Sequence, residues 1–62
     1  MKTVKVITGK RLRNGMKKLS NIEGVCKFIH GARWFGDKFY EVIEGTDYNG
    51  NLLGIFKWRE VK

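Results

Sequence analysis

Lys38-Phe39-Tyr40-Glu41-Val42-Ile43-Glu44 is the stretch that decides the fold. It is dense in aromatic and β-branched residues, which suit a pleated, half-buried surface. Turn chemistry brackets it, with Gly36-Asp37 before and Gly45 to Gly50 after. An apolar run stands on each outer side, Val25 to Trp34 and Leu52 to Trp58. The simplest reading is three antiparallel strands with Phe39 to Ile43 in the middle one. Phe35 to Lys38 holds the first hairpin turn and Thr46 to Asn51 the second. Asn49-Gly50 is a hairpin signal because both residues tolerate positive φ. Gly31 and Ala32 predict a bend or bulge in the first of these strands.

Upstream, Thr3 to Thr8 alternates, with Val4 and Val6 on one side and Lys5 and Ile7 on the other. This reads as a short strand whose Val4–Val6 face points inward. Gly9 ends it. The segment from Lys10 to Asn21 has two readings. Leu12, Met16 and Leu19 fall at i, i+4 and i+7, the spacing of one helix face. Against a helix, Asn14-Gly15 is a turn signal at its centre, and a mid-helix Gly costs about 1 kcal/mol relative to Ala. The balance favours a long, partly ordered loop. Its Leu12, Met16 and Leu19 would tuck onto the sheet, with Lys10, Arg11, Arg13, Lys17 and Lys18 pointing outward.

Sixty-two residues make a single domain, 1–62. Chains near this size bury only about 60% of their unfolded surface, so stability is expected to be small and a deep catalytic cavity has little room. The formal net charge is +7, and all of it lies in residues 1–22, which carry seven cations and no acid. Residues 23–62 balance six cations against six acids. Such asymmetry points to an anionic partner, though solubility alone also favours net charge. The lone Cys26 excludes an internal disulfide and fits a reducing, cytoplasmic setting. The alternating opening is unlike a signal peptide, and no run is long enough for a membrane span.

The element order is strand, basic segment, strand, hairpin, strand, hairpin, strand, and a short end piece. With the closing Gly54-Ile55-Phe56-Lys57-Trp58-Arg59-Glu60-Val61, it resembles the Src-homology-3-like small β-barrel. The signalling branch of that family ends Gly-aliphatic-Phe-Pro-x-Asn-Tyr-Val, matched here by Gly54, Ile55, Phe56 and Val61. Its Pro and Tyr fall at Lys57 and Glu60, and its acidic first loop is replaced by Lys10 to Lys18. The resemblance therefore does not carry recognition of Pro-rich peptides. It leans towards the basic-loop branches that bind nucleic acid, by analogy of fold. The expectation is a mostly β chain. It would be a small antiparallel SH3-like barrel, or a strongly twisted four- to five-stranded meander, with a long basic loop or short helix after the first strand. The expected core is Val4, Val6, Phe28, Val42, Phe56 and Val61.

No catalytic or metal pattern emerges. Cys26 and His30, on a strand, would share a face but lie about 13 Å apart, too far for one metal ion or for a nucleophile–base contact. Asp47-Tyr48-Asn49-Gly50-Asn51 lacks the Gly and Glu positions of a calcium loop. Glu41 and Glu44 fall on opposite strand faces. The chain is expected not to be an enzyme and to need no cofactor. Two features suit nucleic acid. The uninterrupted positive segment can contact phosphates. Aromatics stand beside cations at Arg33-Trp34, Lys38-Phe39-Tyr40 and Lys57-Trp58-Arg59, where bases could stack. The candidate binding residues are Lys10, Arg11, Arg13, Lys17, Lys18, Arg33, Trp34, Tyr40, Lys57, Trp58 and Arg59. Most of the Phe residues are expected in the core, with Trp34, Tyr40, Tyr48 and Trp58 partly exposed. The competing reading is a small viral or bacterial accessory protein that docks on a host protein and inhibits or modulates it, steered by an acidic surface. Membrane binding is not expected, because the apolar stripe of the basic segment has only three residues.

Overall fold

The computed structural model describes residues 4–61. Strand β1 (Lys5–Thr8) is followed by helix α1 (Leu12–Ser20) and by three long strands, β2 (Lys27–Phe35), β3 (Lys38–Thr46) and β4 (Leu52–Glu60). The chain is mostly β, as its alternation predicts. The strands form one open sheet in the order β1-β4-β3-β2. It does not close into a barrel. Both hairpins are antiparallel, whereas β1 runs parallel to β4, with Ile7 opposite Phe56. The meander over the last three strands is as expected. The parallel first strand follows from α1, which carries the chain across the sheet from one edge to the other.

The basic segment is a helix, not a loop. Leu12, Met16 and Leu19 form its inner stripe against Ile43 and Phe56, with Ile7, Ile22 and Trp58 around them. Gly15, the residue that argues for a turn, is buried mid-helix. A Cβ there would run into Cε2, Cδ2 and Cζ of Phe56. The glycine therefore serves close helix–sheet approach. Leu19, fully buried, sits over the cross-strand pair Gly45–Gly54, where a Cβ on Gly54 would lie 3.0 Å from its Cδ2. Lys17 and Lys18 in the last turn favour the negative end of the helix dipole. The Ser20 hydroxyl donates to the Lys17 carbonyl at 2.7 Å, and the Asn21 N–H closes the helix on the Lys18 carbonyl.

Several expected core positions are corrected. Phe56 and Val42 are buried, but Val6, Phe28 and Val61 are 50%, 41% and 45% exposed, and Val4 is half-buried. In β1 the inward residue is Ile7, so the sequence reading chose the wrong face. Thr3 lies outside the described residues. Phe28 stands on β2, which α1 does not touch, so nothing covers it. Among the aromatics only Phe56 is fully buried. The predicted bulge near Gly31 is absent, since β2 and β3 pair without interruption from Lys27–Thr46 to Phe35–Lys38. The irregularities fall in the β3–β4 ladder instead, at Glu41/Val42 and Gly45/Thr46. The first hairpin turn has Gly36 at φ +67°. In the second only Gly50 is left-handed. The Asp47 carboxylate shapes that loop by accepting from the N–H groups of Asn49 and Asn51 at 2.9 and 2.8 Å.

Candidate nucleic-acid interface

The helix turns about 100° per residue, so the stripe that buries Leu12, Met16 and Leu19 forces Arg13, Lys17 and Lys18 outward. All three are exposed, as are Lys10 and Arg11 at the helix start. Among the described residues, none of these five side chains takes part in an ion pair. Two glutamates of the sheet are engaged elsewhere, Glu41 by His30 and Arg59, and Glu44 by Arg33.

The helix start is tied to the end of β4. The Trp58 indole N–H donates to the Lys10 carbonyl at 3.2 Å, and the Gly9 N–H reaches the Lys57 carbonyl. The bulge that shifts Glu41 opposite Arg59 leaves Trp58 as the extra residue, turned towards the helix-side core. Arg59 lies over the Trp58 ring, 4.7 Å from its centroid, and its Nε donates to Glu41 Oε1 at 2.5 Å. His30 Nε2 is 2.6 Å from Glu41 Oε2, and its ring is 6.5 Å from that of Trp58. The Arg59 hydrogen bond, aided by His30, holds the Glu41 carboxyl below its ordinary value, against the opposing effect of partial burial. Further along the same face, Trp34 packs on Phe39 with ring centroids 5.0 Å apart and stays 67% exposed. Helix α1 is thus a wall beside an uncovered shelf made by His30, Trp58, Arg59 and Trp34.

The opposite face is organised differently. Arg33 pairs with Glu44 four residues along the ladder, passing over the Gly31–Val42 pair on the same face. Lys57 Nζ lies 5.0 Å from the Phe35 ring centre and 4.7 Å from that of Tyr40, and these two rings meet edge to face. Val42 and Ile55 are buried on this side without any helix over them. These long side chains lie over that face in place of a second layer.

The candidate residues therefore divide. Lys10, Arg11, Arg13, Lys17 and Lys18 gather on and before α1, with Trp58, Arg59 and Trp34 on the adjoining shelf. Arg33, Tyr40 and Lys57 lie on the reverse of the sheet, and the Arg33 charge is already met by Glu44. Sequence reasoning passed over His30 and Glu41 as site members. The available signal was their cross-strand position on a shared face, which appears only once the β2–β3 register is known. Cys26 is exposed just before β2. Among the described residues no cluster of His, Cys, Asp and Glu could hold a metal ion. No helix there is long and apolar enough to cross a membrane. A cleft of about 470 Å³ lies between β1 and the end of α1, lined by Lys5, Ile7, Lys18, Asn21, Ile22 and Glu23.

No family model, no curated protein and no solved structure matches the chain.

Proposed function

We propose that this chain is a non-catalytic nucleic-acid-binding protein that uses α1 as its contact element. One observation carries the reading: Lys10, Arg11, Arg13, Lys17 and Lys18 are exposed together on and before one helix and, among the described residues, have no carboxylate partner. Cations left facing water can exchange their counterion atmosphere for phosphates, which is favourable through ion release from the nucleic acid. On the adjoining shelf Arg59 is paired with Glu41 and covers the Trp58 ring, so the open aromatic face there is Trp34, 67% exposed. The closing Gly54, Ile55, Phe56 and Val61 resemble the ending of the Src-homology-3-like family, whose basic-loop branches bind nucleic acid. This enters as an analogy of sequence, since the sheet here is open with a parallel first strand. In this chain the basic segment is helical.

A salt titration on duplex DNA and on RNA tests this. If four phosphates are contacted, log K should fall with log salt at a slope near about −3.6. No retention on either polymer at low salt would sink the proposal.

A second reading, a modulator that docks on an acidic host protein, is favoured by the exposure of Trp34 and Tyr48, 67% and 80%. Exposed aromatics of this kind often anchor protein interfaces. A partner retained from lysate after nuclease treatment would select this reading.

A further inference from the structure

We infer that a second copy of this chain pairs antiparallel with the free edge of β2, making a two-fold dimer with one continuous eight-stranded sheet centred on Gly31. The edge is lightly guarded. Folded proteins blunt edge strands with proline, bulges, charged side chains or a covering helix, because unpaired backbone groups template another strand. Strand β2 carries only Lys27 at its first position and Arg33, whose charge Glu44 meets. The sequence has no proline, the β2–β3 ladder is unbroken over nine pairs, and α1 touches β1, β3 and β4 but not β2. Phe28, Ile29 and Trp34 stand on this strand 41%, 50% and 67% exposed.

The occupant follows from the strand itself. Lys27-Phe28-Ile29-His30-Gly31-Ala32-Arg33-Trp34-Phe35 is complementary to its own reverse. With Gly31 opposite Gly31, Phe28 meets Trp34, Ile29 meets Arg33, His30 meets Ala32, and Lys27 meets Phe35. Aromatic faces aromatic, each cation faces an apolar residue, and no like charges oppose, all of which favour cross-strand pairing. A two-fold axis normal to the sheet permits only shifts that keep each residue on its own face. Moving the centre to His30 sets Lys27 against Arg33. Moving it to Ala32 pushes Lys27 and Phe28 off the strand and over the hairpin turn. The Gly31 register alone pairs all nine residues without a cationic clash. Gly31 suits the axis: a Cβ built there meets nothing within 4 Å, and no left-handed φ marks this position. Charge placement agrees. The +7 excess belongs to residues 1–22, so a join at β2 keeps the cationic helices apart, whereas a join at β1 would bring Lys5 and Lys18 of both copies together.

The test uses the full chain in two measurements. The first is sedimentation equilibrium over a range of concentrations. A monomer–dimer equilibrium that stops at two is expected. Ile29→Lys, which sets a lysine against Arg33 of the other copy twice, should weaken it about tenfold. The melting temperature of this variant at high dilution should match wild type, because the site is half exposed. The second is disulfide trapping in a Cys26→Ser background. Directly opposed residues have Cα atoms about 4.5–5.5 Å apart, within disulfide reach. Gly31→Cys should therefore cross-link readily. Ile29→Cys should not, since its two copies would sit about 13 Å apart along the ladder. A chain that stays monomeric throughout overturns the inference and leaves the edge to a strand of another protein. Association beyond two, or equal cross-linking of both cysteine variants, also overturns it.

Discussion

Gly15 in α1 lies against the ring of Phe56 in β4, and this contact sets the distance between the helix and the sheet. Phe56 is 1% exposed, so its ring has no free direction in which to retreat. The contact reverses the usual arithmetic of a helical glycine.

Helix propensity alone predicts that Gly15→Ala stabilises the chain by about 1 kcal/mol. Overpacking a closed core costs about 1–3 kcal/mol, and here the methyl group overlaps three ring carbons. The clash outweighs the propensity gain, and the expected net loss is up to about 2 kcal/mol. For a domain of this size, each 1 kcal/mol lowers Tm by about 4–8 °C, which thermal unfolding will read directly. A rise in Tm would show that the ring moves aside freely.

The same contact predicts coupling. In a Phe56→Leu background the smaller side chain leaves room for the added methyl. Gly15→Ala should then cost less than it does in wild type, by about 0.5–3 kcal/mol. Urea unfolding of the four proteins in the cycle measures this. Additive losses would mean that the two residues do not share the space.

Glu41 gives a pH dependence. Its carboxyl is held below the ordinary value of 4.5 by Arg59 and His30 in the native state. The unfolded chain therefore binds its proton first as pH drops, and the stability that Glu41 contributes is fully present above that ordinary value. It is lost as pH falls through the lower native value. Glu41→Gln should be less stable than wild type near neutrality, and the gap in Tm should close below about pH 4.5. A gap that is constant from neutral to acid would rule out the charge as its source.

Arg11→Glu with Arg13→Glu separates binding from folding. Both side chains are exposed and the first turn of α1 holds no acid. Carboxylates there face the positive end of the helix dipole, worth about 0.3–1 kcal/mol each in the stabilising direction. Tm should hold or rise slightly while retention on nucleic acid is lost. Filter binding and thermal unfolding on the same preparation suffice. Loss of folding would show that the arginines hold the helix start in place.

The three long strands were legible because alternation, β-branched residues and glycine turns agree over 27–60. The helix was harder. Asn14-Gly15 carries a local turn signal, and its actual cause, the Phe56 ring, lies 41 positions away in the sequence. In β1 two short apolar patterns competed, and only the position of α1 decides that Ile7 is inside. The parallel β1–β4 pairing leaves no local mark either. The cationic cluster was readable residue by residue. That Arg33 and Lys57 belong to the reverse face was not, because their sides follow from the cross-strand register, Arg33 opposite Tyr40 and Lys57 opposite Val42, while the bulge beyond Lys57 turns Trp58 the other way.

The last strand made is the second in the sheet, lying between the first strand and the rest. β1 and α1 come first in the chain, yet the surface they pack on is complete only with residues up to Glu60. Until then Leu12, Met16 and Leu19 have no β4 to cover and β1 has no neighbour. The packing of the helix is therefore completed by the strand furthest from it in sequence, and a chain cut before β4 keeps the β2–β3 hairpin but leaves the apolar stripe of α1 without its main cover.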